Sequence, residues 1–331
     1  MKAIVHEGRQ GIEGVSVREF HEPEVSRGLV KVKLKTAGLN RRDLMVLTRH
    51  KEDQPPLIIG SDGAGTIAAA GDGVTNVSEG DEVIINPGLG WAHNSDAPPE
   101  GFEIVGLPDH GTFAEYIVLP AENVEKKPDH LNWEEAGVLS LAALTAYRVL
   151  FTRAKIKEGD TVLIPGIGSG VGTFLLKFAK AAGARVIVTS RSNEKQNKAL
   201  ELGADLSIAT NSDWNEELKD ETIDIVIESI GRATFTKSLK AVRKGGTLVT
   251  FGATTEDEIE IDIRQFFYSQ LNLLGSTMGS AEEFREMLEF TAKHNITPVV
   301  DSVYSFDEYE KALERLKNSE NLGKIAFRIA E

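Results

Sequence analysis

Residues 160–195, DTVLIPGIGSGVGTFLLKFAKAAGARVIVTSRSNEK, decide the fold. A short apolar strand breaks into a loop with glycine at 166, 168, 170 and 172. An amphipathic helix follows, Gly183 stops it, and a second apolar strand, RVIVT, comes next. This is a βαβ unit whose first turn suits a dinucleotide. Positions without side chains let the backbone approach a pyrophosphate, whose charge rests on the N–H groups and positive dipole end of the new helix. Four glycines in seven residues exceed what a tight strand-to-helix turn requires. The strict G-x-G-x-x-G frame fails from Gly166, where Val171 falls last, and from Gly168, where Thr173 does. The strand before and the helix and strand after carry the reading instead.

The chain has 331 residues, 41% hydrophobic and 27% charged, which suits about two globular domains with room for a buried core. No run approaches the ~18 apolar residues of a membrane span. The opening MKAIVHEG reads as a strand and lacks the apolar core and cleavage site of a signal peptide, so the expected location is the cytoplasm. A net charge of −14 repels phosphate backbones and argues against nucleic acid as a partner. The absence of cysteine removes disulfides, thiolate nucleophiles and cysteine-ligated zinc together.

The first third reads as short strands split by turns: AIV, VSVREF, LVKVKLKTAG, AGTIAAAG, DEVIINPG and, after a gap, TFAEYIVL. That spacing predicts a small barrel-like β domain. The gap, residues 88–110, has no periodicity and reads as a long loop. Residues 133–151 read as a well-buried helix. From 161 onward strands and helices alternate, with strands near 161–165, 185–189, 205–209, 223–228, 246–251 and 271–276. Helices fall near 171–182, 194–202, 232–243 and 281–294, the pattern of a doubly wound parallel sheet. The tail adds TPVVDSVY, a helix over 306–317 and KIAFRI. Because the six-stranded sheet is already complete, the tail is expected to return to the first domain. The expected division is a substrate domain of 1–124 and 295–331, a cofactor domain of 125–294, and a cleft between them.

AGLNRRDL (37–44), PLIIGSDGAGTI (56–67), the GDEV turn (80–83), HGTFAEY (110–116), LSLAALTAYRVL (139–150), PGIGSGVG (165–172), the FGA turn (251–253), LLGS (273–276) and GKI (323–325) form a joint signal. Together they resemble the medium-chain dehydrogenase/reductase superfamily, specifically its zinc-free, quinone-oxidoreductase-like branch, over nearly the whole chain. The resemblance implies a Rossmann doubly wound parallel sheet with a GroES-like β-barrel substrate domain. In zinc-dependent alcohol dehydrogenases of that superfamily two cysteines and one histidine hold the catalytic metal. The matching positions here carry Asn40, Ser61 and Leu141, which cannot hold Zn²⁺ as thiolates and imidazole do. The four-cysteine structural zinc loop corresponds to 88–110, which has no cysteine, so the expectation is no metal. By resemblance the three fingerprint glycines fall on Ile167, Ser169 and Gly172. The resemblance also implies dinucleotide contacts from Ser229, Gly252, Ala253, Gly275, Ser276 and Lys324.

Backbone N–H groups around Gly168, Ser169, Gly170 and Val171 are the expected pyrophosphate seat, with the Ser169 hydroxyl as an added donor. The second strand ends in Ser190 and Arg191, with Lys195 a helical turn later, where an NAD site usually has an acid for the ribose diol. A hydroxyl, a guanidinium and an ammonium suit a 2′-phosphate, so NADPH is the expected cofactor. Glu194 is the only acid nearby and reads as a dipole complement at the start of the next helix.

Without zinc, alcohol–ketone exchange loses its Lewis acid. Acceptors whose negative charge spreads into an enolate or hydroquinone are then favoured: quinones and α,β-unsaturated carbonyl compounds. Asn40 is expected to donate an amide N–H to the substrate oxygen, with a turn or cap role as the alternative. Asp43 reads as structural. Thr145 matches a family position that contacts the nicotinamide, or else is an ordinary buried helix threonine. Ser61 and Trp91 are expected to line the substrate site, although Trp91 equally suits an anchor for its loop. Two further readings stay open: a 2-enoyl-thioester reductase, against which the acidic surface argues mildly, and a non-catalytic NADPH-binding redox sensor. A homodimer or tetramer is expected from the resemblance.

Overall fold

The computed structural model describes residues 1–329. It divides into two compact units, one of residues 1–144 with the chain from Gly279 onward, the other of residues 145–278. Among the described residues no helix is long and apolar enough to cross a membrane.

The first unit is mainly antiparallel sheet. A three-stranded sheet orders Val15–Glu19, Lys2–His6 and Leu57–Ile58. A seven-stranded sheet runs Val124–Lys126, Glu82–Ile85, Asp62–Ala70, Leu29–Leu39, Lys324–Arg328 and Val300–Ser305, with Tyr116–Pro120 also paired to Leu29–Leu39. Leu29–Leu39 is central because of its alternation: Val30, Val32 and Leu34 are buried while Lys31, Lys33 and Lys35 point away from that core. Its far end is covered on both faces. Leu39, Phe113, Ile325 and Phe327 join one cluster, with the two phenylalanine rings edge-on at 5.1 Å. The tail therefore enters the sheet beside Leu29–Leu39, with Ile325 opposite Leu39.

The unit boundaries lie at 144/145 and 278/279, not at the expected 124/125 and 294/295. Packing explains both shifts. The helix Trp133–Gly137 lies so close to the central strand that a Cβ on Gly38 would meet the Gly137 carbonyl oxygen and the Val138 Cα at 2.8 Å. Thr36 Oγ1 donates to the Trp133 carbonyl at 2.5 Å. At the other boundary, the helix Ala281–Lys293 is tied to the long loop: the N–H groups of Ala281 and Glu282 donate to the Trp91 and Ala92 carbonyls. The long loop itself contains a small hairpin, Gly88–Leu89 with Glu103–Ile104. The expected helix over 133–151 is three pieces: Trp133–Gly137, Ser140–Tyr147 and a π-helical turn, Arg148–Arg153.

The second unit holds a six-stranded parallel sheet in the order Leu206–Ala209, Arg185–Ser190, Thr161–Ile164, Ile223–Glu228, Val242–Thr250, Asn272–Gly275. Numbered along the chain this is 3-2-1-4-5-6, the doubly wound order, with its switch point beside the carboxyl end of Thr161–Ile164. The central strands are continuous apolar runs buried on both faces, as a sheet with helices on each side requires. Helices Gly170–Ala181, Asn193–Glu201 and Arg232–Ala241 form the crossovers. Two short helices, Trp214–Glu217 and Ile263–Tyr268, are additions to the expected set.

Candidate active site

Strand register assembles a polar group in the first unit. Leu29–Leu39 ends just before Asn40, Asp62 opens the strand on one side opposite Gly38, and Lys324 opens the strand on the other. The three side chains meet at one end of the sheet and are almost wholly buried: Asp62 is 0%, Lys324 3% and Asn40 6% exposed. Lys324 Nζ donates to Asn40 Oδ1 at 2.5 Å and to Asp62 Oδ2 at 3.0 Å. Asn40 Nδ2 donates to Asp62 Oδ2 at 2.9 Å and to Ser61 Oγ at 3.3 Å. Asp62 Oδ1 accepts the Leu141 backbone N–H at 2.8 Å. The buried carboxylate thus has three donors on its two oxygens, which offsets the desolvation of the ion pair.

This geometry changes the expected part of Asn40. Both of its amide hydrogens are directed to Asp62 and Ser61, so its N–H groups serve the cluster and not a substrate oxygen. Ser61 is fully buried within the same group.

Next to it, Asp43 lies in the first turn of the helix Arg41–Arg49, and its Oδ2 accepts the Asn40 N–H at 2.7 Å. Its Oδ1 is buried without a hydrogen-bond partner among the described residues. Burial pushes the Asp43 carboxyl up to about 6, against the opposing pull of the Arg42 guanidinium 3.9 Å away. Arg42 in turn is tied to the Val105 carbonyl.

In the second unit, the glycine loop has the features of an anion seat. Gly166 takes φ +72° at the end of the first strand. Ser169 caps the helix Gly170–Ala181, with its Oγ accepting from the Gly172 N–H at 3.0 Å. The N–H groups of Gly170 and Val171 are in the first turn, where no intrahelical acceptor exists. At the end of the second strand Ser190 is buried, its Oγ accepting the Ser192 N–H. Arg191 is exposed, and among the described residues no carboxylate pairs with it. Lys195 lies in the first turn of Asn193–Glu201, and Glu194 pairs with Lys198. At the carboxyl end of the last strand, Ser276 Oγ is cut off from solvent and has no hydrogen-bond partner among the described residues. An orphaned hydroxyl beside the sheet's carboxyl ends is a further mark of a ligand seat. Ser229, Gly252 and Ala253 lie in one turn system, where the Ser229 carbonyl accepts the Thr254 N–H.

The family model "Alcohol dehydrogenase GroES-like domain" matches residues 26–129, and "Zinc-binding dehydrogenase" matches residues 170–293. A zinc-type alcohol dehydrogenase-like protein of Schizosaccharomyces pombe is 34% identical over 99% of both chains. The acryloyl-coenzyme A reductase of Metallosphaera sedula is 31% identical over 98% of this chain and 99% of its own. Among solved structures, an NAD-dependent alcohol dehydrogenase superposes with a TM-score of 0.93 at 34% identity, covering all of both chains. The chain belongs to the medium-chain dehydrogenase/reductase superfamily. It is an oxidoreductase of that superfamily, with a nicotinamide dinucleotide as its cofactor class.

The name of the second family model implies zinc, and the residues do not fit it. Asn40, Ser61 and Leu141 converge as the metal-ligand positions of the superfamily would, but they present an amide, a hydroxyl and a backbone N–H aimed at Asp62. A lysine ammonium stands among them, where a divalent cation would face like charge. Among the described residues no group of three or more His, Cys, Asp or Glu could hold a metal ion.

Two other site expectations change with the structure. Trp91 is 2% exposed, its ring packs edge-on to Phe102 at 5.3 Å and its Nε1 donates to Ser95 Oγ at 2.9 Å. These contacts fit the second of its two expected roles, that of loop anchor. Lys324, expected at the dinucleotide, lies at the start of the tail strand with its ammonium bonded to Asn40 and Asp62. Thr145 is buried in Ser140–Tyr147. Asp62 was missed by sequence reasoning, although its place directly after Ser61 was the available signal.

Proposed function

We propose that this chain reduces an α,β-unsaturated carbonyl compound or a quinone, using NADPH in preference to NADH. The observation that carries the reading is the Lys324–Asn40–Asp62 group standing where a metal site would be. It offers a fixed ammonium with one N–H left over, which suits a delocalised enolate or hydroquinone oxygen better than a localised alkoxide. The glycine turn would hold the pyrophosphate on the Gly170 and Val171 N–H groups, and Arg191 with Ser190 would face a 2′-phosphate. When bound, the reduced nicotinamide supplies hydride. Within this class, enoyl thioesters have specific support: the acryloyl-coenzyme A reductase relative aligns over nearly the full length of both chains.

The test is loss of reduced-nicotinamide absorbance with a panel of quinones, enones, enals and acryloyl or crotonyl thioesters, using NADPH and NADH separately. Turnover of at least one conjugated acceptor, faster with NADPH, is expected, and simple alcohols should be poor substrates with NADP⁺. Fast oxidation of ethanol or a secondary alcohol, with no turnover of any conjugated acceptor, would overturn the reading. Binding of NADPH with no turnover on any acceptor would favour a redox sensor.

A further inference from the structure

The Lys324 ammonium has three N–H donors, of which Asn40 Oδ1 and Asp62 Oδ2 take two. Among the described residues no acceptor takes the third. A buried N–H left without an acceptor is costly, and this ammonium keeps one at the convergence of the positions that hold metal in zinc-type members of the superfamily. The neighbouring charges balance without it. Asp62 answers one positive charge, and Asp43, the other nearby carboxyl, faces the Arg42 guanidinium. The ammonium is also immobilised: its two bonds run to side chains that are themselves fixed by Leu141 and Ser61.

We propose that Lys324 is a catalytic residue, the resident cation of the site, whose third N–H binds the carbonyl oxygen of the substrate as negative charge builds there. This rests on the reductase reading above. In that reaction hydride adds to the β-carbon, the π pair moves toward the oxygen to give an enolate, and water protonates the α-carbon while the dinucleotide is left oxidised. Lys324 transfers no proton in this step and acts by charge and hydrogen bonding, with no reorganisation at the moment of transfer. Asn40, Asp62 and Ser61 are then positioning residues that aim the ammonium.

The test compares wild type with Lys324→Met, Lys324→Ala and the charge-balanced Lys324→Met/Asp62→Asn, the last included because a lone buried Asp62 can prevent folding. Each variant is checked for a cooperative thermal transition. The expected result for the folded variants is a kcat/KM reduced about 10²- to 10³-fold, the scale of losing one preorganised donor. NADPH dissociation constants should stay within about twofold, and methylammonium or ethylammonium should restore part of the Lys324→Ala activity. A second readout needs no turnover: binding of crotonate, whose carboxylate mimics the charged oxygen, to the NADP⁺-loaded enzyme by calorimetry. Its affinity should fall at least tenfold in the variants. A folded variant that keeps kcat/KM and crotonate affinity within threefold overturns the proposal, as does one that loses NADPH affinity in parallel with activity. If wild type reduces no conjugated acceptor yet binds crotonate through Lys324, the reductase reading fails and the oxyanion site stands.

Discussion

At the scale of single residues, buried charge governs what this site tolerates. Asp43 is held above its ordinary value of 3.8, at about 6, so its protonated form is the one the fold prefers. The stability from that preference is complete below about pH 4 and is lost as the pH rises through about 6, amounting to about 3 kcal/mol. Asp43→Asn keeps the oxygen that accepts the Asn40 N–H and cannot ionise. Denaturant titrations at a series of pH values should therefore show the stability of the variant gaining on wild type by that amount between pH 4 and 7. A constant difference across the window would mean that Asp43 does not titrate there. Arg191 belongs to the same scale but to the cofactor. It is exposed, no carboxylate among the described residues pairs with it, and under the proposed NADPH preference it would meet the 2′-phosphate through charge-assisted bonds, which are strong. Arg191→Ala should weaken NADPH about ten- to a hundredfold and leave NADH nearly unchanged in a fluorescence titration. Equal losses for both would remove the basis for NADPH preference.

At the scale of elements, the glycine turn is where backbone conformation and ligand binding meet. Gly166 has φ +72°, and a Cβ there would lie 2.6 Å from Ile230 Cδ1. Gly166→Ala should cost of order 1–3 kcal/mol of stability and, by moving the turn, weaken dinucleotide binding. Unfolding midpoints and cofactor titrations on one preparation check both, and an unchanged pair would show that the turn relaxes freely. These elements were legible because their patterns are local. The lysine–aliphatic alternation of 29–35 and the buried runs of 161–164 and 223–228 announce strands of two kinds, one half-exposed and one enclosed. Trp214–Glu217 is too short to show a period, and the break at Val138 follows from packing against Gly38, which no local pattern contains. The site divides in the same way. Asn40 and Ser61 stand out as substitutes for metal ligands within recognisable segments. The N–H groups of Asn40 are taken by Ser61 and Asp62, 21 and 22 residues on, and its carbonyl oxygen by Lys324, 284 residues on, so its occupancy depends on strand register that no local pattern contains.

At the scale of the whole molecule, the question is what offsets a net charge of −14 when copies of the chain meet. The helix Ile263–Tyr268 leaves Ile263 66%, Phe267 50% and Tyr268 70% exposed, and the last two rings stack at 5.0 Å. The strand that follows, Asn272–Gly275, is the outer strand of its sheet. Clustered apolar exposure beside an open sheet edge marks an association surface, which supports the proposal of a homodimer or a dimer of dimers. Apolar burial would drive that association while like charge opposes it, so it should tighten with salt, because screening shortens the repulsion to roughly 8 Å at physiological ionic strength. Light scattering at micromolar concentration should give a multiple of 36.0 kDa, with the larger species favoured as salt rises. Ile263→Glu combined with Tyr268→Glu should shift the protein to a single chain without loss of folding, since neither side chain belongs to a core. A wild type that scatters as one chain at every salt concentration would leave the exposed helix without a partner of its own kind. A larger species that weakens with salt would place charge pairing, not this apolar face, at the interface.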